Sequence, residues 1–168
     1  MTTSVEPPRD GLLIPGFALP RVGGGEVRAR AYRNRRSLAV IFVHGAHCRP
    51  CRDYLAGALE SYADLAEQDA EVIAVVPAPA TETTSLRSSL ALPFPVAVDE
   101  SGAAFRRFGL EPARDAAVMV TDRYGEPRLW TVARDDHALP THEEITAELR
   151  YLAMTCSAGC AVPLWQDR

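Results

Sequence analysis

The sequence predicts a single α/β domain in which a central mixed β-sheet is flanked by α-helices. Two short apolar runs rich in β-branched residues, 38–43 and 71–77, have the pattern of strands that are covered on both faces. Between them, from Cys48 onward, apolar residues recur every three or four positions, which predicts a helix of about five turns. This order of strand, helix and strand is typical of α/β proteins.

The rest of the chain completes the sheet and covers it. Short apolar runs predict further strands at 93–98, 116–121 and 128–133, the last two joined by a turn at 122–125. Further helices are predicted from a cap at Thr81 to Leu90, over 102–108, and from Thr141 onward. Glu144 stands at the capping-box spacing after Thr141. The glycines at 23–25 predict a hairpin turn near the start of the domain.

The chain divides into one folded domain and two ends. Residues 1–16 contain scattered prolines and charges without periodicity, and we expect a flexible N-terminal arm. The folded domain is predicted over 17–154, and 155–168 form a tail that contains two cysteines. A compact chain of 168 residues buries roughly 70% of the surface that it exposes when unfolded, so it needs no disulfide or metal merely to fold. Pairs of cysteines therefore suggest chemistry.

The charge balance argues against nucleic acid and membrane surfaces as partners. The chain has 18 basic residues, all arginine, and 22 acidic ones, which gives a net charge of −4 and a pI of about 5.6. The absence of lysine excludes Schiff-base chemistry and a phosphate-binding loop of the Walker type. Neither a membrane span nor a secretory signal is predicted. We therefore expect a cytoplasmic protein, where four cysteines favour catalysis or metal binding over permanent disulfides.

The most informative segment is a C-x-x-C motif, Cys48-Arg49-Pro50-Cys51, at the passage from a buried strand into a helix. Free backbone N–H groups and the positive end of the helix dipole stabilise a thiolate at such a position, and Arg49 adds positive charge nearby. Pro50 keeps the first turn rigid, where a missing N–H costs little. We expect Cys48 to be the nucleophile and the more buried Cys51 to attack the product formed on it.

Two histidines flank the motif on the side of the strand. Because imidazole titrates near pH ~6.5, either His44 or His47 can accept a proton from Cys48 or donate one to a departing thiolate. The same cysteine spacing also occurs in half of a zinc site, or as two thiols packed in a core. Those two interpretations stay open from the spacing alone.

A second cysteine pair, Cys156 and Cys160, follows the last predicted helix. It has three interpretations: a second redox dithiol that exchanges electrons with the first pair, a metal half-site, or inert tail cysteines. A relay requires direct contact between sulfur atoms, which a mobile tail would permit. His137 and His142 are the histidines that would complete a metal site with this pair.

The motifs together resemble the peroxiredoxin-like (alkyl hydroperoxide reductase/thiol-specific antioxidant) branch of the thioredoxin-fold redoxins. The resemblance covers about 17–154 and is carried by C-R-P-C after a strand, F-P-V at 94–96 before Asp99, F-R-R-F-G at 105–109 and the D-x-x-G turn at 122–125. It implies a thioredoxin-like fold. It also implies a function in the thiol-based reduction of peroxides or disulfides.

The chain departs from the pattern of the main peroxiredoxin type at three positions. The threonine and proline that shape the peroxide pocket are replaced by Gly45 and Ile41. Ala116 stands where peroxiredoxins have an active-site arginine and thioredoxins a cis-proline. Arg114, two residues earlier, is the candidate to supply that charge, and a surface arginine is the alternative interpretation.

The predicted function is a peroxiredoxin-like oxidoreductase in which Cys48 attacks a peroxide or disulfide and Cys51 resolves the product as a disulfide. An external dithiol, such as a thioredoxin-like protein, then reduces that disulfide. No organic cofactor and no metal is implied, because the cysteines themselves hold the reducing equivalents. The alternatives are a thioredoxin-like reductase of protein disulfides and a non-catalytic module that senses redox state or binds zinc.

Overall fold

The computed structural model describes residues 6–134 and 137–157, without the side chains of residues 156 and 157. A five-stranded mixed sheet lies at the centre of the described chain. Its strands, in spatial order, are β5 (Val96–Val98), β4 (Ala70–Val76), β3 (Ser37–Phe42), β6 (Ala116–Thr121) and β7 (Pro127–Ala133). β3, β4 and β5 are parallel, whereas β6 and β7 each run antiparallel to the preceding neighbour in that order. The mixed sheet flanked by helices is the fold that the sequence predicts.

In the described part of the chain, four α-helices cover the sheet, together with a separate hairpin and a short 3₁₀ segment. The helices are α1 (Arg49–Glu67), α2 (Ala80–Leu90), α3 (Ala103–Arg107) and α4 (His142–Ser157). The hairpin consists of β1 (Ala18–Pro20) and β2 (Glu26–Arg28), and the 3₁₀ segment is Ala29–Tyr32. No helix among the described residues has both the length and the apolar character that crossing a membrane requires.

The two faces of the sheet carry separate cores, because alternate strand residues point to opposite faces. Ile41 of β3 packs into one core together with apolar residues of α1, α2 and α4. Val40 packs into the other, which is covered by α3, β2 and the 3₁₀ segment. All six residues of β3 are buried. Burial on both faces explains why β3 and β4 are continuous apolar runs instead of alternating ones.

Aromatic packing fixes the end of β3 that leads to the cysteine motif. The ring of Phe42, the last residue of the strand, lies 5.3 Å from that of Phe105 and 4.9 Å from that of Phe108. Each such pair contributes about 0.5–1.5 kcal/mol beyond the area that it buries. The segment 43–48 therefore leaves the sheet from a rigid base before α1 begins.

The predicted capping box at the last helix is confirmed, whereas the predicted cap of α2 is wrong. Thr141 Oγ1 accepts from the backbone N–H of Glu144 at 3.2 Å, and the Glu144 carboxylate accepts from the N–H of Thr141 at 2.7 Å. In α2, the N-cap is Pro79, and Thr81 lies inside the helix. Pro79 has the extended backbone of an N-cap residue, with φ of −56° and ψ of 153°, and the helix begins at Ala80 directly after it.

Packed structure begins ahead of the predicted boundary at residue 17. Ile14 is buried in the core beneath α3, and its backbone N–H donates to the carbonyl of Gly125 at 2.9 Å. The buried side chain and the backbone bond tie this part of the arm to the turn between β6 and β7. The remaining boundaries at 154 and 155 stay predictions.

Candidate active site

Cys48 caps the N-terminus of α1 and accepts a hydrogen bond from the helix backbone. Its Sγ lies 3.4 Å from the backbone nitrogen of Cys51, which donates. Pro50 occupies the first turn, as predicted. Cys48 is half-buried, so it is the more exposed of the two cysteines of the motif. Sγ of Cys48 therefore lies beside a backbone donor at the positive end of a nineteen-residue helix.

Cys51 is the buried partner of this pair. Only 2% of the residue is exposed, and both cysteines are free thiols. Burial raises the pKa of the Cys51 thiol to about 12, and the hydrogen bond with Cys48 contributes in the same direction. The two thiols are therefore unequal: Cys51 is protonated at neutral pH, and Cys48 is the accessible one.

His44 lies directly against the buried thiol. Its Nδ1 is 3.3 Å from Sγ of Cys51. Burial lowers the pKa of His44, and the neighbouring His137 lowers it further. Nδ1 of His44 therefore lies within hydrogen-bonding distance of the Cys51 sulfur, where it is placed to take the proton of the thiol.

His137 is the site residue that sequence reasoning missed. Its Nε2 lies 3.6 Å from Sγ of Cys48, and its ring centroid lies 4.8 Å from that of His44. The sequence analysis considered His137 only as a partner of the tail cysteines. The sheet topology is the feature that could have identified His137. Because β6 runs antiparallel to β3 and β7 antiparallel to β6, β7 ends at the same end of the sheet as β3, and the residues after it lie there.

A hydrogen bond from α1 anchors the segment that follows His137. The hydroxyl of Tyr54, one helical turn after Cys51, donates to the carbonyl of Pro140 at 2.6 Å. His137 itself has a left-handed backbone with φ of 51°, a conformation that costs a residue with a side chain roughly 1–2 kcal/mol. The surrounding contacts therefore hold His137 in a conformation that the isolated chain would disfavour.

The other predicted supporting side chains make their described contacts away from the two sulfurs. Nε2 of His47 lies 3.2 Å from a carboxylate oxygen of Glu82, and the side chain is 82% exposed. Arg49 is also exposed, and its guanidinium lies 3.9 Å from the carboxylate of Asp53. The supporting roles assigned to His47 and Arg49 stay predictions.

Arg114 lies just ahead of β6, at the edge of the sheet that carries the motif. Its guanidinium donates to the buried carboxylate of Asp115 at 2.9 Å. That ion pair lowers the pKa of Asp115 against the opposing effect of burial, which is the largest influence on the group. The Arg114 guanidinium is thus paired with a buried carboxylate. Its role toward a substrate stays a prediction.

The second cysteine pair lies outside what the structure describes. The backbone of Cys156 belongs to α4, but its side chain is not among the described ones, and Cys160 is outside the described residues. His142, the other histidine considered with this pair, packs between helices. Its ring lies 4.4 Å from that of Tyr54 and so close to Gly57 that a Cβ there would clash. The role of the second pair stays a prediction.

Comparison with known proteins decides the family. The AhpC/TSA family matches residues 11–135, which is most of the chain and includes the whole motif. The chain belongs to the AhpC/TSA family. This membership makes it a peroxiredoxin-like, thiol-dependent oxidoreductase, the class that the sequence motifs predict. No curated protein matches the sequence.

Solved structures of low sequence identity share the fold of this AhpC/TSA protein. AhpC of Enterococcus faecalis superposes with a TM-score of 0.76 at 18% identity, over 88% of this chain and 93% of that one. Peroxidoxin BcpB of Mycobacterium tuberculosis gives 0.69 at 18% identity, over 83% and 94%. A candidate protein disulfide isomerase of Bacteroides thetaiotaomicron gives 0.72 at 15% identity, over 89% and 92%. All three similarities concern the thioredoxin-like fold.

Proposed function

We propose that this AhpC/TSA protein reduces peroxides or disulfides through a redox dithiol formed by Cys48 and Cys51. The observation that carries the proposal is the asymmetry of the pair. An accessible thiol at the helix N-terminus lies within 4.8 Å of a buried thiol that stays protonated at neutral pH. Such a pair favours attack by Cys48 and resolution by Cys51.

With a peroxide, the first step forms a sulfenic acid on Cys48. The thiolate attacks one peroxide oxygen, the O–O bond breaks, and the leaving oxygen takes a proton to become water or an alcohol. His137, whose Nε2 lies 3.6 Å from the Cys48 sulfur, is placed to carry that proton.

The second step forms the disulfide. Sγ of Cys51 attacks the sulfenic sulfur, the S–S bond forms, and the hydroxyl leaves as water. His44 is in contact with the Cys51 sulfur and can take its proton as the attack begins. Burial makes this thiol a poor nucleophile on its own, so the neighbouring base matters most in this step.

An external dithiol then reduces the disulfide and completes the cycle. A thioredoxin-like protein is the proposed donor, because exchange needs a thiolate that can reach Sγ of Cys48, the accessible sulfur. We place the enzyme in the cytoplasm, where such reductants keep thiols reduced.

Reduction of protein disulfides is the second candidate reaction. Three features favour it: Gly45 and Ile41 stand in place of the peroxide-pocket threonine and proline, and Arg114 is engaged with Asp115. A disulfide substrate needs only access to Cys48, not stabilisation of a peroxide oxygen. In that reaction the Cys48 thiolate forms a mixed disulfide, which Cys51 cleaves, so the substrate leaves as a dithiol.

Turnover of the two substrate types by matched cysteine variants tests the proposal. The purified enzyme is supplied with a thioredoxin system and either hydrogen peroxide or a protein disulfide. We expect Cys48→Ser to abolish turnover. We expect Cys51→Ser to stop after one event, with a sulfenic acid or mixed disulfide trapped on Cys48. Full turnover by Cys48→Ser would overturn the proposal. The substrate that the wild-type enzyme turns over faster, peroxide or protein disulfide, identifies the reaction.

A further inference from the structure

Four side chains with metal-ligating atoms converge where β3 ends. They are His44 and Cys48 from the segment after β3, Cys51 from the first turns of α1, and His137 from the segment after β7. One ligand atom from each, two sulfurs and two ring nitrogens, lies within 4.8 Å of every other. The proposed redox chemistry uses the two imidazoles as proton carriers, and the same four atoms also form a ligand set for a metal ion.

Two sulfur-to-nitrogen distances within this cluster are close to those of a tetrahedral zinc site. Zinc binds thiolate sulfur at about 2.3 Å and imidazole nitrogen at about 2.0–2.1 Å, so a sulfur and a nitrogen on one tetrahedral ion lie about 3.6 Å apart. The corresponding distances are 3.6 Å for Cys48 with His137 and 3.3 Å for Cys51 with His44. All the distances between the four ligand atoms are at most 4.8 Å, so small shifts bring the four atoms around one ion.

The cluster is also a suitable donor set with a path for entry. Two thiolates and two imidazoles in tetrahedral geometry select zinc over harder ions such as Mg²⁺ or Ca²⁺. Cys51 lies at the buried base of the site, whereas the other three side chains are half-buried and open to solvent. Both cysteines come from a rigid helix start, so part of the site exists before the ion arrives.

We propose that the reduced protein binds one Zn²⁺ ion through Cys48, Cys51, His44 and His137. Bound zinc occupies the nucleophile and the resolving thiol together, so the metal-bound form is inactive as a dithiol. This regulatory consequence, unlike the binding itself, rests on the proposed function. Metal binding and catalysis therefore compete for the same reduced state.

Oxidation releases the ion in a balanced step. Hydrogen peroxide takes two electrons from the two thiolates and, with two protons, becomes two molecules of water. Both Zn–S bonds break, one S–S bond forms between Cys48 and Cys51, and Zn²⁺ leaves. The two imidazoles alone hold zinc far more weakly, so the disulfide form should not retain it.

Anaerobic titration with Zn²⁺, and with Co²⁺ as its spectroscopic probe, tests the proposal. The reduced, metal-free full-length protein should bind one ion and show the visible bands of tetrahedral Co²⁺ with sulfur-to-cobalt charge transfer. Zinc should displace the cobalt, and the oxidised protein should show no such bands. A reduced protein that binds no ion, or binds Co²⁺ without thiolate bands, would overturn the proposal.

Histidine variants separate this site from a simple dithiol chelate. His137→Ala and His44→Ala should each weaken zinc at least about tenfold in competition with a chromophoric chelator, since losing even an outer-sphere partner costs that much. His47→Ala is the matched control, because that histidine adjoins Cys48 in sequence but contacts Glu82. It should change the affinity less than about twofold. Equal affinity in all three variants would overturn the four-ligand site.

The metal-free enzyme distinguishes failure of this inference from failure of the proposed function. Disulfide formation between Cys48 and Cys51 is measured with no metal present, and the titration is measured with no oxidant present. A reactive dithiol that binds no zinc would overturn only the metal site. A protein that binds zinc but whose thiols do not react with peroxide or disulfide would overturn the proposed function.

Discussion

Burial of Cys51 should make its thiol unreactive in a protein that contains no other cysteine. The test protein contains Cys48→Ser, Cys156→Ser and Cys160→Ser, so that Cys51 is the only cysteine. Burial is the largest cause of the raised pKa of Cys51 and survives these changes, whereas the hydrogen bond with the Cys48 sulfur does not. A pKa of about 12 against an ordinary value of 9.0 makes the thiolate fraction at neutral pH on the order of 1000-fold smaller. We expect alkylation at least ~100-fold slower than that of a free cysteine.

Quenched alkylation with iodoacetamide, followed by intact mass, measures this rate. The same protein in denaturant provides the internal reference, because unfolding returns the thiol to water. The companion protein with Cys51→Ser and Cys48 intact should react at least as fast as a free cysteine, since its sulfur is accessible and accepts a backbone hydrogen bond. Equal rates for the two folded proteins would refute the assignment of nucleophile and resolving thiol.

The structure also predicts the direction of three other effects, on stability at high pH, on the rate of Cys48 oxidation and on the stability of α4. In the unfolded chain Cys51 ionises near its ordinary pKa of 9.0, but in the folded protein only near 12. Denaturant titrations should therefore show the reduced protein losing up to about 1.4 kcal/mol of stability per pH unit above pH 9 relative to Cys51→Ala. His137→Gln should slow oxidation of Cys48 by peroxide about tenfold or more at unchanged melting temperature, and an unchanged rate would exclude its role as proton carrier. Thr141→Ala should cost about 1 kcal/mol and lower the melting temperature by roughly 2–4 °C, whereas Thr155→Ala, late in the same helix, should cost less.

Local patterns in the sequence were sufficient for most of the fold. β3 and β4 are continuous β-branched runs because helices cover one face and α3 with the N-terminal hairpin covers the other. The capping box of Thr141 and Glu144 is a contact between near neighbours, so spacing alone predicts it. The placement of Cys48 at a helix start follows equally from local sequence, because the change from strand to helix pattern falls at that residue.

Contacts between distant parts of the chain account for what sequence reasoning missed. His137 reaches Cys48 across 89 positions, and only the pairing of β7 with β6 and of β6 with β3 brings it there. The burial of Ile14 likewise depends on a partner in a distant turn.

The measurement that tests the central claim most directly is disulfide mapping after brief oxidation. Fully reduced, metal-free protein is mixed with limiting hydrogen peroxide or with a protein disulfide, quenched over time, and followed by intact mass and peptide mapping. The account predicts rapid formation of one bond, between Cys48 and Cys51, faster than oxidation of an ordinary free cysteine by at least one of the two oxidants. Oxidation by both no faster than that of a free cysteine, or a first disulfide that excludes Cys48, would contradict it.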